Sequence, residues 1–245
     1  MIKTQKLKYL VLAFFSLLRR SKMGIISQIY SITRFDAPFS ISYSQGGEDL
    51  ALSYFLREPK GFYIDVGAHH PNRFSVTRLL YQRGWVGIDV DANPDAQEIF
   101  EKWRPKNQFL NRVVGNGVEQ IFFRFHEGAI STSSLEWKDK FLSEGNPLKD
   151  QVVIPGITLR ELFDLVPFGS SFDLVNLDIE GGDVEALKVL LYEPNKPARM
   201  PTWFLLESPA GVENALKSEQ VTILKKLGYE AQAILPMSTL MKLID

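Results

Sequence analysis

The chain has 245 residues, 45 % hydrophobic and 23 % charged, the composition of an ordinary globular domain rather than a disordered or fibrous one. A net charge of −1 gives no reason to expect a nucleic-acid partner. The absence of cysteine excludes disulfides, thiolate zinc sites and cysteine nucleophiles, and it fits a reducing, cytoplasmic compartment.

The charge is uneven, because residues 1–35 hold seven Lys and Arg and no acid, which leaves −8 for the remainder. Within that stretch Tyr9–Leu18 (YLVLAFFSLL) is apolar and flanked by basic residues. It has about half the length of a bilayer-spanning helix, and no small-x-small cleavage site follows it. We read residues 1–42 as an N-terminal helical extension that packs on the domain or on a second copy of the chain. The alternative is weak membrane-surface contact through residues 1–22, peripheral to the bilayer. Residues 43–245 form the main domain.

Tyr43-Ser44-Gln45-Gly46-Gly47-Glu48-Asp49 is a glycine turn feeding a helix, with acids in its first turn. Gly61–Pro71 (GFYIDVGAHHP) reads as a buried strand followed by a sharp turn at Gly67. A helix is expected over Asn72–Arg83, stopped by Gly84, and then a strand over Trp85–Asp91 that ends in an acid. Asn93-Pro94-Asp95 starts another helix. Gln108–Val114 and Glu119–Phe125 are strands, and His126–Asp150 is polar and irregular, either a loop over the site or a plain surface excursion. Val152–Ile154 is a short strand and Pro155-Gly156 a turn. Thr158 and Glu161 make a capping box for a helix to Leu165. Phe172–Asp178 is a second strong core strand, after which Asp183 caps a helix. Trp203–Leu206 is a strand running into Glu207-Ser208-Pro209, and Val212–Leu227 is one amphipathic helix. Tyr229–Leu235 and Thr239–Ile244 form an antiparallel hairpin. The alternation gives an α/β fold, a mostly parallel sheet with helices on both faces.

Reactive groups in such a sheet lie beyond the carboxyl ends of the strands. Those ends hold Asp65, Gly67, His69 and His70, then Asp89 and Asp91, Asn111, Asp178 with Glu180, and Glu207. This set is acidic and has no Lys or Arg, so it suits a ligand bearing a cation and ribose hydroxyls better than one bearing phosphates. Asp91, about 20 residues beyond the first strand, stands where ribose hydroxyls are held in nucleoside sites. Only Gly67 of a phosphate-binding fingerprint is present, and Pro71 removes a backbone donor, which argues against NAD and FAD.

Tyr43-Ser44-Gln45 with Gly47-Glu48-Asp49, the Tyr63–Pro71 block, Gly84–Ile88, Asp91-Ala92-Asn93-Pro94 and Asp173–Gly181 together make the chain recognisable. It resembles the FkbM-type family of S-adenosylmethionine-dependent methyltransferases from about Tyr43 onward. The resemblance implies a Rossmann-like, seven-stranded class I methyltransferase sheet. It also implies O-methylation of a hydroxyl on a sugar, glycan or other small natural product. It implies that Asp65, Gly67 and Ala68 line the cofactor, that Asp91 holds its ribose, and that Gln45, Glu48 and Asp49 border the site. Asn111 joins this cofactor set from the end of the third strand. An alcohol nucleophile loses a proton, so a base is needed. Asp178 and Glu180 are the first candidates, and His69 and His70 the second, because imidazole titrates near neutral pH. Asp178 has two alternatives, bonding its own loop amides or acting in a carboxylate metal site, but we assign no metal. The competing readings are an NAD-dependent sugar oxidoreductase or epimerase and a catalytically silent binding subunit. A homo-oligomer remains an option.

Overall fold

Two layers of apolar side chains, one on each face of a central sheet, organise the structure. In the computed structural model, residues 40–194, 197–208 and 211–244 are described. The expected N-terminal helix and its membrane-surface alternative lie outside them. Ser42–Asp245 is one compact unit. Seven strands form its sheet: β1 (Phe62–Val66), β2 (Val86–Asp91), β3 (Gln108–Asn111), β8 (Leu174–Leu177), β9 (Trp203–Glu207), β10 (Tyr229–Ile234) and β11 (Ser238–Leu243). Their order is β10-β11-β9-β8-β1-β2-β3. The pairs from β9 through β3 are parallel, and only β11 runs antiparallel to its two neighbours. The sheet is thus Rossmann-like, mostly parallel and closed by an antiparallel hairpin.

Period-2 alternation assigns the faces. Ile64, Val66, Val175, Leu177, Phe204 and Leu206 point to one core. That core is covered by α5 (Leu159–Asp164), α6 (Asp183–Tyr192) and α8 (Glu219–Lys226). Tyr63, Leu174 and Leu205 point to the other, packed with Leu52 of α1 (Glu48–Phe55) and Leu80 of α2 (Arg78–Arg83). Because β1 is buried along its whole length, its carboxyl end is a rigid platform.

Several expected elements differ. The helix after β1 begins only at Arg78, because residues 72–77 are held in a loop. His70 Nδ1 accepts the N–H groups of Asn72 and Arg73, both at 3.0 Å. The guanidinium of Arg104 draws in Pro71 O at 2.9 Å and Ser75 Oγ at 2.6 Å. The third strand splits at Arg112, and β4 (Val113–Val114) leaves the sheet to pair with β7 (Gly156–Ile157). The strand β5 (Gln120–Phe125) pairs with β6 (Leu148–Ile154) in a separate antiparallel ribbon. Within the segment read as irregular lie a 3-10 turn (Gly128–Ile130) and α4 (Leu135–Ser143), whose cap is Ser134 accepting the Trp137 N–H. Val212–Leu227 is two helices, α7 (Val212–Lys217) and α8, because Ser218 leaves the helical path and caps the second. Asp183 is the first residue of α6 rather than its cap, and its carboxyl accepts the Ile179 N–H at 3.4 Å. The capping box of Thr158 and Glu161 forms as expected. One short helix, α3 (Gln97–Trp103), follows the 3-10 turn that Asn93 caps.

Candidate active site

The carboxyl ends of β1, β2, β8 and β9 open into one cleft with two lobes. The smaller lobe, about 60 Å³, is lined by Gly67 and Asp91, beyond or at the ends of β1 and β2, and by Arg112, Val113 and Phe122. The larger, about 220 Å³, lies toward Gln45, Glu48, Phe74, Glu207 and the β10–β11 turn. Gly67, His69, Ala129, Asp178 and Glu180 line both, so these five form the passage between the lobes.

Gly67 has φ +78°, and a Cβ there would stand 1.6 Å from the carbonyl oxygen of Asp178. The turn therefore brings the β1 and β8 loops together in a way that only glycine permits. The N–H groups of Gly67 and Ala68 both go to Val90 O, at 2.9 and 3.0 Å. Neither is left to cradle a pyrophosphate, which counts against a dinucleotide.

Asp91 accepts the His69 N–H on Oδ2 and the Asn93 N–H on Oδ1, each at 2.7 Å. Those bonds fix the carboxyl over the strand end and leave each oxygen a further lone pair. Burial lifts its pKa to about 6 against the pull of the two amides. It is still ionised at neutral pH and is a strong acceptor for hydroxyls.

Asp178 and Glu180 follow β8. Burial, then Glu207, Asp183, Glu180 and Asp65, push the Asp178 carboxyl well above the usual range. Asp178 is also open to the cleft, and water there tempers the shift. Glu180 is raised to about 7 by burial, then by Glu207 and Asp183, with Lys140 opposing. Its backbone sits at φ +48°, held by Thr132 Oγ1 donating to its carbonyl at 2.7 Å. A Cβ on the neighbouring Gly181 would fall 2.1 Å from Trp137. Thus α4 supports the loop that carries both acids. His69 also has positive φ, +51°, stacks on Phe74, and buries an Nε2 that has no partner among the described residues. Burial, then Arg73 and His70, hold its pKa below the ordinary value, so the ring is neutral at pH 7.

Of the residues expected at the site, Gln45, Glu48, Gly67, His69, Asp91, Asp178 and Glu180 line the cleft. Five do not, each for a visible reason. Asp65 is 2 % exposed, and its carboxyl takes Thr77 Oγ1 at 2.5 Å and Asn176 Nδ2 at 2.9 Å, so it braces the site from behind. Ala68 packs against Ala96 and Phe100. His70 lines neither lobe, and its Nδ1 is taken up by the turn described above. Asn111 donates to Asp91 O at 3.0 Å and shapes the strand end. Asp49 binds Ser42 Oγ, Tyr43 N and Ser44 Oγ at 2.7 to 2.9 Å, pinning the segment before α1.

The sequence reading missed Arg112, Phe122, Phe74, Met237 and Ser238 as cleft residues. Arg112 had a signal, since it stands one residue past a strand end. Phe74 and Met237 had none, because loop paths place them. Ser131 and Ser133, in the segment read as irregular, also line the smaller lobe.

The residues of the smaller lobe fit S-adenosylmethionine: a carboxylate for ribose hydroxyls, apolar Val113 and Phe122 for a purine, and acids at the passage for a cationic sulfonium. A model of the methyltransferase FkbM domain matches residues 65–225, well over half of the chain. Among solved structures, the chain is similar to a TehB-like SAM-dependent methyltransferase from Corynebacterium glutamicum. That match has 11 % identity and a TM-score of 0.39, over 90 % of this chain and 97 % of the other. It is also similar to a precorrin-6y C5,15-methyltransferase from Geobacter metallireducens, with 10 % identity and a TM-score of 0.40, over 85 % and 93 %. A search of curated protein sequences returns no match. The chain belongs to the FkbM methyltransferase family.

Proposed function

We propose that the protein methylates a hydroxyl of a small, polyhydroxylated acceptor, a sugar, glycan or related natural product. The smaller lobe would hold the cofactor through Asp91 and the larger would hold the acceptor. When bound, S-adenosylmethionine supplies a methyl already activated by its sulfonium. What remains for this chain is to align the acceptor oxygen and to take its proton.

The observation that carries the reading is the place of Asp178 and Glu180, on the wall common to both lobes. There the two acids would face both the acceptor hydroxyl and the reacting end of the cofactor. Glu180, held near 7, is matched to accepting a proton at neutral pH. It must be ionised to do so, so transfer should rise as pH climbs through about 7. The neutral ring of His69, which lines both lobes, would bond the same hydroxyl. Asp91 and Gly67 hold the other partner away from water without donating to phosphate.

The test combines labelled-methyl transfer to a panel of polyols with S-adenosylhomocysteine binding for Asp178→Asn and Glu180→Gln. Both variants should keep cofactor affinity, and the one that removes the base should lose roughly 10²- to 10⁴-fold in transfer. The product should be a methyl ether by mass spectrometry. Full activity in both variants, or methylation of nitrogen, would overturn the assignment.

A further inference from the structure

The larger lobe has an unbalanced charge. Glu48, Asp178, Glu180 and Glu207 line it, together with Gln45, Ser238 and apolar side chains, and among the described residues no Lys or Arg does. A nearby cation is Lys140, which acts on Glu180 and Glu207 from α4 without lining the lobe. Asp178 and Glu180 are shared with the smaller lobe, where a cationic cofactor would answer them. Glu48 and Glu207 belong to the larger lobe alone.

Glu48 is the independent sign of a ligand. It is 3 % exposed, and its Oε2 accepts the Gly46 N–H at 2.9 Å. Its Oε1 is buried with no partner among the described residues. A buried carboxylate oxygen left unpaired is costly, and nature rarely leaves one so. His69 Nε2 is a second orphan on the same lobe. Both atoms call for an occupant with hydrogen-bonding groups, and the charge of the lining chooses its sign. A phosphorylated acceptor would meet four acids and no base. An uncharged polyol would satisfy Glu48 but leave the mutual repulsion of the acids unrelieved. An ammonium carries three donors and a positive charge, and it answers both.

We infer that the acceptor carries a protonated amine, as an amino sugar or amino alcohol does, with the ammonium seated between Glu48 and Glu207 and a hydroxyl toward His69 and Asp178. Phe74, Val76, Ile130 and Met237 then cover its carbon skeleton. This rests on the methyltransferase reading above and specifies its substrate class.

The experiment is calorimetry on the full chain at about pH 7.5, first with S-adenosylhomocysteine alone. The protein saturated with it is then titrated with D-glucosamine, N-acetyl-D-glucosamine and D-glucose 6-phosphate. Acetylation removes the charge and keeps the ring hydroxyls, and the phosphate reverses the sign. Glucosamine should bind at least about tenfold more tightly than either of the others. Glu207→Gln and Glu48→Gln should each reduce glucosamine affinity by roughly tenfold while leaving S-adenosylhomocysteine affinity as a control on folding. Equal affinities for the three sugars overturn the inference. So does the absence of glucosamine binding when S-adenosylhomocysteine binds, or glucosamine affinity unmoved by both substitutions. Absence of S-adenosylhomocysteine binding is a different result and overturns the methyltransferase reading itself.

Discussion

Replacing Asp183 by Asn should stabilise the protein in mild alkali and change little in acid. Asp183 opens α6, is 3 % exposed, and faces Glu207. Burial, then Glu207, lift its pKa from the ordinary 3.8 to about 7, against the N–H groups of Asp183, Ile179 and Gly181. The sign follows from where the proton sits. A carboxyl with a higher pKa in the folded state keeps its proton there, so its contribution is fully present below about 3.8 and is lost as pH rises through about 7. The whole interval corresponds to about 4 kcal/mol of penalty for the ionised group. Part of that penalty is repulsion by Glu207 and part is burial, and an uncharged Asn relieves about 2 kcal/mol of it. Asn keeps an oxygen for the Ile179 N–H and carries no charge. Urea unfolding of both proteins at about pH 8 and pH 4 measures the effect. The variant should be more stable by about 2 kcal/mol at the higher pH and within about 0.5 kcal/mol at the lower. If the variant is no more stable than the parent at pH 8, the mutual repulsion described for the acids beyond β8 and β9 is absent.

Arg104 is 1 % exposed and binds Asp89 at 2.6 Å, with Thr77, Ser75 and Pro71 O on its other hydrogens. Arg104→Met should therefore cost about 3–5 kcal/mol in denaturant unfolding, because it strands a buried carboxylate; a loss under 1 kcal/mol would show that the network is not structural. Gly67→Ala places a Cβ against the Asp178 carbonyl at positive φ, so it should lose at least about 2 kcal/mol of stability together with S-adenosylhomocysteine binding. A variant that melts and binds like the parent would refute the tight β1–β8 junction.

The core of the fold was legible because strong local patterns and packing agree. Ile64, Val66, Val175 and Leu177 alternate as buried parallel strands must, and the carboxyl ends of β2 and β8 pointed to Asp91, Asp178 and Glu180, which line the cleft. What was not legible depends on partners distant in sequence. Nothing local says that residues 72–77 stay unwound, since Arg104, far along the chain, holds them. Asp65 and Asp91 look alike in sequence, each an acid near the end of a strand. One turns to Thr77 and Asn176, and the other opens to the cleft. The α4 helix had a readable start in Ser134 and an aromatic pair at Trp137 and Phe141, but its polar surroundings masked them. The break at Ser218 was hidden by an apolar stripe that continues across it.

One calorimetric comparison tests most directly whether Asp91 holds a nucleoside cofactor. S-adenosylhomocysteine should bind the protein and NAD should not. Asp91→Ala should weaken that binding by about 1.5–3 kcal/mol, the scale of hydrogen bonds to a charged group. Binding of NAD in place of S-adenosylhomocysteine, or an affinity for S-adenosylhomocysteine that Asp91→Ala leaves unchanged, would contradict it.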